Sequence, residues 1–121
     1  MRQIKFRGRV PDDDKPDGGK IVYGYLVVYD SGKYTHWLIR PNEDRNVPVV
    51  PSSVEQLIGI DKYGTEVYEG DRVIRIFDYD DNGNRIKVSN FGMNATFEDF
   101  AAIRDGDIIL IKRLTLAEEA D

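Results

Sequence analysis

Cysteine is missing altogether from this 121-residue chain, and histidine and tryptophan occur once each, at His36 and Trp37. Without a thiol there is no disulfide, no thiolate-held zinc, no iron–sulfur cluster and no cysteine nucleophile. A single histidine removes most histidine-based zinc sites and leaves a nucleophilic triad one possible base. In the middle of a strand it reads as a hydrogen-bonded structural residue. No apolar run approaches the roughly 20 residues that span a bilayer. The opening M-R-Q-I-K-F-R-G-R-V has no apolar stretch behind its charges, so it does not read as a signal peptide. These absences lead us to expect no membrane association, no metal or other cofactor, and a reducing, cytoplasmic setting.

Basic residues are outnumbered, 17 against 22 acids, for a net charge of −5. Such a chain repels nucleic-acid phosphates on average. The charges are unevenly placed, however. The first ten residues carry Arg2, Lys5, Arg7 and Arg9 and no acid. Lys5, Arg7 and Arg9 alternate with Ile4, Phe6, Gly8 and Val10, the period of two that marks a half-buried strand. They form a candidate nucleic-acid face, to which Arg72, Arg85 and Lys87 could add, with Tyr23, Tyr25, Tyr34 and Trp37 as stacking surfaces. The plainer reading is a solvated charged face over core aromatics.

Further on, K-I-V-Y-G-Y-L-V-V-Y at 20–29 is apolar on both alternating faces and predicts a central or doubly covered strand. Asp30-Ser31-Gly32-Lys33 turns it into a second strand, Tyr34–Ile39. The loop 11–19 is polar and acidic. Residues 41–53 hold Pro41, Pro48 and Pro51 and predict an irregular connector, with Ser52 or Ser53 capping a short helical turn that Gly59 ends. Strands are expected at 72–77, 85–91 and 107–113. Residues 96–103 read either as a short helix capped by Thr96 or as a broken strand, and the tail 115–121 could begin a helical turn or fray. The count is six or seven strands with at most two short helices. That pattern predicts one domain over 1–121, a mainly β, small antiparallel barrel-like or sandwich domain.

The densest signal is V-E-Q-L-I-G-I-D-K-Y-G-T-E-V-Y-E-G-D-R-V, residues 54–73. Gly59, Gly64 and Gly70 mark turns, because glycine reaches positive φ without steric cost. Asp61 opens one turn, and Tyr68-Glu69-Gly70-Asp71 forms another, in which an aspartate bonds nearby backbone N–H groups. Tyr68 and Val73 are expected in the core. Asp78-x-Asp80-x-Asn82-Gly83 matches half of a calcium loop, but Ser89 stands where a bidentate glutamate is needed, so it reads as a hairpin turn. Gly18-Gly19-Lys20 lacks the spacing and helix of a phosphate loop. Carboxylates such as Glu66, Glu69 and Asp71 leave an acid–base pair conceivable without marking one. The residues single out no catalytic, cofactor-binding or metal-ligating site.

Three segments together resemble the YopX family of phage and prophage proteins: R-Q-I-K-F-R-G at the start, I-V-Y-G-Y-L-V, and V-P-S-S-V-E-Q-L-I-G-I-D-K-Y-G-T-E-V-Y-E-G-D-R-V at 50–73. Beyond Phe77 the likeness fades, and I-L-I-K-R-L-T-L stands where many members carry Gly-Asn-Ile-Tyr-Glu-Asn. The resemblance implies an origin on a phage, prophage or other mobile element and a bacterial cytoplasm. It implies no reaction and no catalytic residue. The expected role is a non-enzymatic accessory protein that binds a protein partner or itself. Nucleic-acid binding is the alternative, and a carboxylate-dependent enzyme the last choice.

Overall fold

The structure is a computed structural model that describes residues 5–40, 45–88, 92–100 and 104–113. It is mainly β, and its strand pairings are antiparallel. The chain divides into two compact units, the first ending at Leu57 and the second beginning at Ile58.

The first unit is built on β1 (Phe6–Arg9), β2 (Ile21–Val28), β3 (His36–Arg40) and β4 (Arg45–Pro48), joined by the start of β5 (Glu55–Ile60). Their order is β4-β3-β2-β1-β5. The expected central strand is therefore found: β2 lies between β1 and β3. Val10, Val22, Leu38, Val47 and Val49 form its core, with Phe6, Leu26 and Val54 against them. Gly24 lets the backbones close in, since a Cβ there would lie 2.2 Å from the Ile39 carbonyl oxygen.

The 41–53 connector departs from expectation. Residues 45–48 form a strand, and Pro48 is tolerated at its end because β4 pairs on one side only, with β3. No side chain caps the single 3-10 turn at Pro51–Ser53. Ser53 instead ties that turn to β1, its hydroxyl donating to the Val50 carbonyl at 2.6 Å and accepting from the Arg9 N–H at 2.8 Å. Gly59 ends no helix; it is buried within β5. The acidic loop 11–19 is laced to cations by Arg9–Asp12, Lys20–Asp17, Arg45–Asp17 and Lys33–Asp13 pairs. These pairs are largely exposed and add little stability each.

In the second unit, β6 (Glu66–Tyr68) precedes β7 (Arg72–Arg75), β8 (Phe77–Tyr79), β9 (Arg85–Lys87), β10 (Met93–Asn94), α1 (Phe97–Phe100) and β11 (Ile108–Lys112). One sheet has the order β10-β7-β11, and β8 and β9 form a separate hairpin. The expected strand 72–77 is thus two strands, interrupted at Ile76, where the chain leaves one sheet for the other. The strand expected at 85–91 is described only as far as Lys87, and residues 89–91 lie outside the described ones. The described residues form eleven short strands where six or seven were expected. Ile58, Val67, Val73, Ala95, Phe100 and Ile108 make the core. The Thr96 hydroxyl accepts the Asp99 N–H at 3.2 Å and so caps α1 as expected. The tail 115–121 lies outside the described residues.

Candidate interaction surface

Three aromatic residues of the first unit, Tyr29, Tyr34 and Trp37, gather at the hairpin joining β2 to β3. Hydrogen bonds build this hairpin: Tyr29 N–H donates to the Thr35 carbonyl, Ser31 Oγ to the Tyr34 carbonyl, and Gly32 N–H to Asp30 Oδ1. Gly32 sits at φ 97°. Trp37 on β3 stacks on Tyr29, with ring centroids 5.4 Å apart, and meets Tyr34 edge-on at 5.9 Å. Stacked and edge-on pairs are the favoured arrangements of aromatic rings.

Two features set this group apart. Tyr29 is 41% exposed, so part of the stack remains in water, and Val28, on the opposite face of the strand, is 59% exposed. The indole N–H of Trp37 is buried and has no hydrogen-bond partner. A buried, unpaired donor costs about 1–3 kcal/mol, and native folds rarely accept it. Asp13 braces the rim, accepting from the Tyr34 hydroxyl at 3.1 Å and pairing with Lys33 at 3.0 Å. The Lys33 ammonium, then the Tyr34 hydroxyl, hold the Asp13 carboxyl below its ordinary value. Burial, then the Asp13 charge, push the Tyr34 phenol up. His36 has its ring Nδ1 2.9 Å from Thr35 Oγ1, a local structural bond.

The signature performs the turn chemistry read from its sequence at Asp61, Gly64 and Gly70, whereas Gly59, also read as a turn, lies within β5. Asp61 is 4% exposed and accepts three backbone N–H groups: Tyr63 and Thr65 on Oδ1, Leu110 on Oδ2. Burial pushes its carboxyl up, but those three donors outweigh burial and hold it below the ordinary range. Gly64 and Gly70 have φ of 86° and 88°. Tyr68 and Val73 are fully buried, as expected. Glu69 is half-buried beside Gly70. The half calcium loop is a turn: Asp80 Oδ1 accepts the N–H groups of Asn82 and Asn84, with Gly83 at φ 80°. No group of three or more acidic or histidine side chains able to hold a metal occurs among the described residues.

The six candidate cations do not act as one exposed stripe. Arg7 is the correction: it is fully buried, and its Nε donates to Glu55 Oε1 at 3.1 Å. Alternation assigned it to the polar face of β1, but in the folded unit that face is covered at Arg7, and Glu55 supplies the charge that a buried guanidinium needs. Arg9 has a side chain only 13% exposed. Lys5 lies 6.0 Å from the Tyr23 ring. In the second unit, Arg72 donates to the Gly92 carbonyl, Arg85 pairs with Asp107, and Lys87 is exposed.

The residue that sequence reading missed is Asp107. It is fully buried, and accepts from the Tyr79 hydroxyl on Oδ2 and from Arg85 on Oδ1, each at 2.6 Å. Nothing in its Asp-Gly-Asp context separates it from a turn aspartate, and its partners lie 28 and 22 residues away.

Comparison with protein-family models, curated proteins and solved structures returned no match. No helix among the described residues is long and apolar enough to cross a membrane.

Proposed function

We propose that the protein is a non-catalytic accessory factor of a phage, prophage or other mobile element, working in the host cytoplasm by contact with a protein partner or with copies of itself. The mobile-element setting rests on the three segments that resemble the YopX family. The mode of action rests on one observation: Tyr29 stands 41% exposed at the edge of the Tyr29–Trp37–Tyr34 cluster. An exposed tyrosine on a braced aromatic base is the material of an interface hot spot, and Val28, 59% exposed, adds apolar surface on the other face of the same strand end. The carboxylates that an acid–base mechanism would draw on are engaged in the fold. Asp61, Asp71 and Asp80 each accept backbone N–H groups, and Asp107 holds Tyr79 and Arg85. A strand-face reading for nucleic acid loses Arg7, its middle cation, to Glu55.

Sedimentation velocity of the wild type and of a Val28→Asp/Tyr29→Ser variant tests the proposal, alone and with proteins retained from the host. The wild type is expected to assemble or to hold a partner, and the variant to lose this while keeping its circular dichroism. A wild type that is strictly monomeric and retains nothing rejects the reading.

A further inference from the structure

We infer that the β8–β9 hairpin is a strap that opens and closes as one body, and that the Asp107 carboxylate is its latch. Tyr79 and Arg85 are partners in the ladder register, one on each strand, and both side chains reach the same buried carboxylate, one to each oxygen. The backbone of Asp107 fastens the base of the hairpin as well, its carbonyl accepting Ile76 N–H at 2.8 Å and Phe77 N–H at 3.4 Å. The remaining attachments lie close by. Arg104 stands over the Tyr79 ring at 4.2 Å, and Arg75 pairs loosely with Asp78 at 3.8 Å.

The hairpin contributes no residue to the core cluster of its unit. All three residues of β9 are exposed, Ile86 at 44%. Among the described residues, its buried apolar surface is that of the half-buried Phe77 and Tyr79 rings, and the polar contacts to Asp107 carry much of its docking. The hairpin is also self-contained. Asp80 closes its turn through the Asn82 and Asn84 N–H groups, Asp80 N–H donates to the Asn84 carbonyl, and Arg85 packs on Phe77 at 3.9 Å. Such a body keeps its own shape when released. Opening uncovers the half-buried Tyr79 ring together with the Asp107 carboxylate, and closing hides them, while Phe77 stays under Arg85. The charged and titratable groups facing the latch are Tyr79, Arg85 and Arg104, with Asp105 in its own turn and the Arg75–Asp78 pair at the hinge.

Amide hydrogen exchange of the full chain, read peptide by peptide, tests the latch in Asp107→Asn and Tyr79→Phe variants. Expected is exchange at least tenfold faster at Ile76 and Phe77, whose N–H groups donate to the Asp107 carbonyl, in both variants, with the amides bonded within the hairpin and those of β7 and β11 unchanged. Protection of Ile76 and Phe77 equal to wild type in both variants overturns the inference. So does acceleration of hairpin, β7 and β11 amides together, which makes Asp107 a general support of the unit. Should Asp107→Asn fail to fold, Tyr79→Phe, which removes one hydroxyl, decides by the same two criteria.

Discussion

Tyr68 and Asp71 exchange two hydrogen bonds across the second signature turn: Tyr68 N–H donates to Asp71 Oδ2 at 2.9 Å, and Asp71 N–H donates to the Tyr68 carbonyl at 3.1 Å. Both residues are fully buried. Asp71→Ala leaves the Tyr68 N–H buried without its acceptor and is expected to cost about 1–3 kcal/mol in urea unfolding. Gly70→Val, at φ 88°, is expected to cost about as much through backbone strain. An unmoved midpoint in both variants would falsify the turn's role.

Two glycines of different kinds should respond differently. Gly64 has φ 86° with open space around it, so Gly64→Asn, which tolerates the left-handed region, is expected to stay within about 0.5 kcal/mol. Gly24 needs its missing Cβ for the approach of Ile39, and Gly24→Ala is expected to cost about 1–3 kcal/mol. Thermal unfolding of the pair separates the two causes.

Acid should weaken the second unit through two carboxylates. At Asp107, burial raises the carboxyl, but the Tyr79 hydroxyl, then Arg85, hold it below 3.8, and Asp61 is lowered in the same sense. A group whose folded value lies below its unfolded one gives stability that is full above the unfolded value and is lost as pH falls through the folded one. The urea midpoint is expected to be flat in this contribution from pH 7 to about 5 and to drop below about pH 4. Asp61→Asn and Asp107→Asn should each flatten that drop while lowering the plateau.

The Arg7–Glu55 pair joins positions 48 residues apart, with side chains 0% and 10% exposed. Removing one partner strands a buried charge, so Arg7→Met is expected to cost about 3–5 kcal/mol. Adding Glu55→Leu should recover a large part of this. A double variant no more stable than the single one shows that other partners of these residues carry the effect.

The turns were legible because their chemistry is local. Gly64, Gly70 and Gly83 occupy positive φ, which few other residues accept, and Asp61 and Asp80 bond N–H groups two and four residues on. The central place of β2 was legible because both its faces are apolar. What failed was long-range. A period of two separates the faces of β1 but does not say which is covered, so Arg7 read as solvated. Proline argued against a strand at 45–48, yet only edge position was required. Strand 72–77 reads as one run, whereas its break at Ile76 depends on the Asp107 carbonyl. At the aromatic stack, the residue types were visible in sequence, but the contact of Tyr29 with Trp37 follows from the β2–β3 register.

The core of the first unit draws on nothing beyond Val54 among the described residues, and that of the second on nothing before Ile58. Synthesis therefore delivers the described side chains of the earlier core before those of the later one. The nascent chain can begin to pack its early strands while the rest is still being made, which limits the time that those apolar strands spend bare.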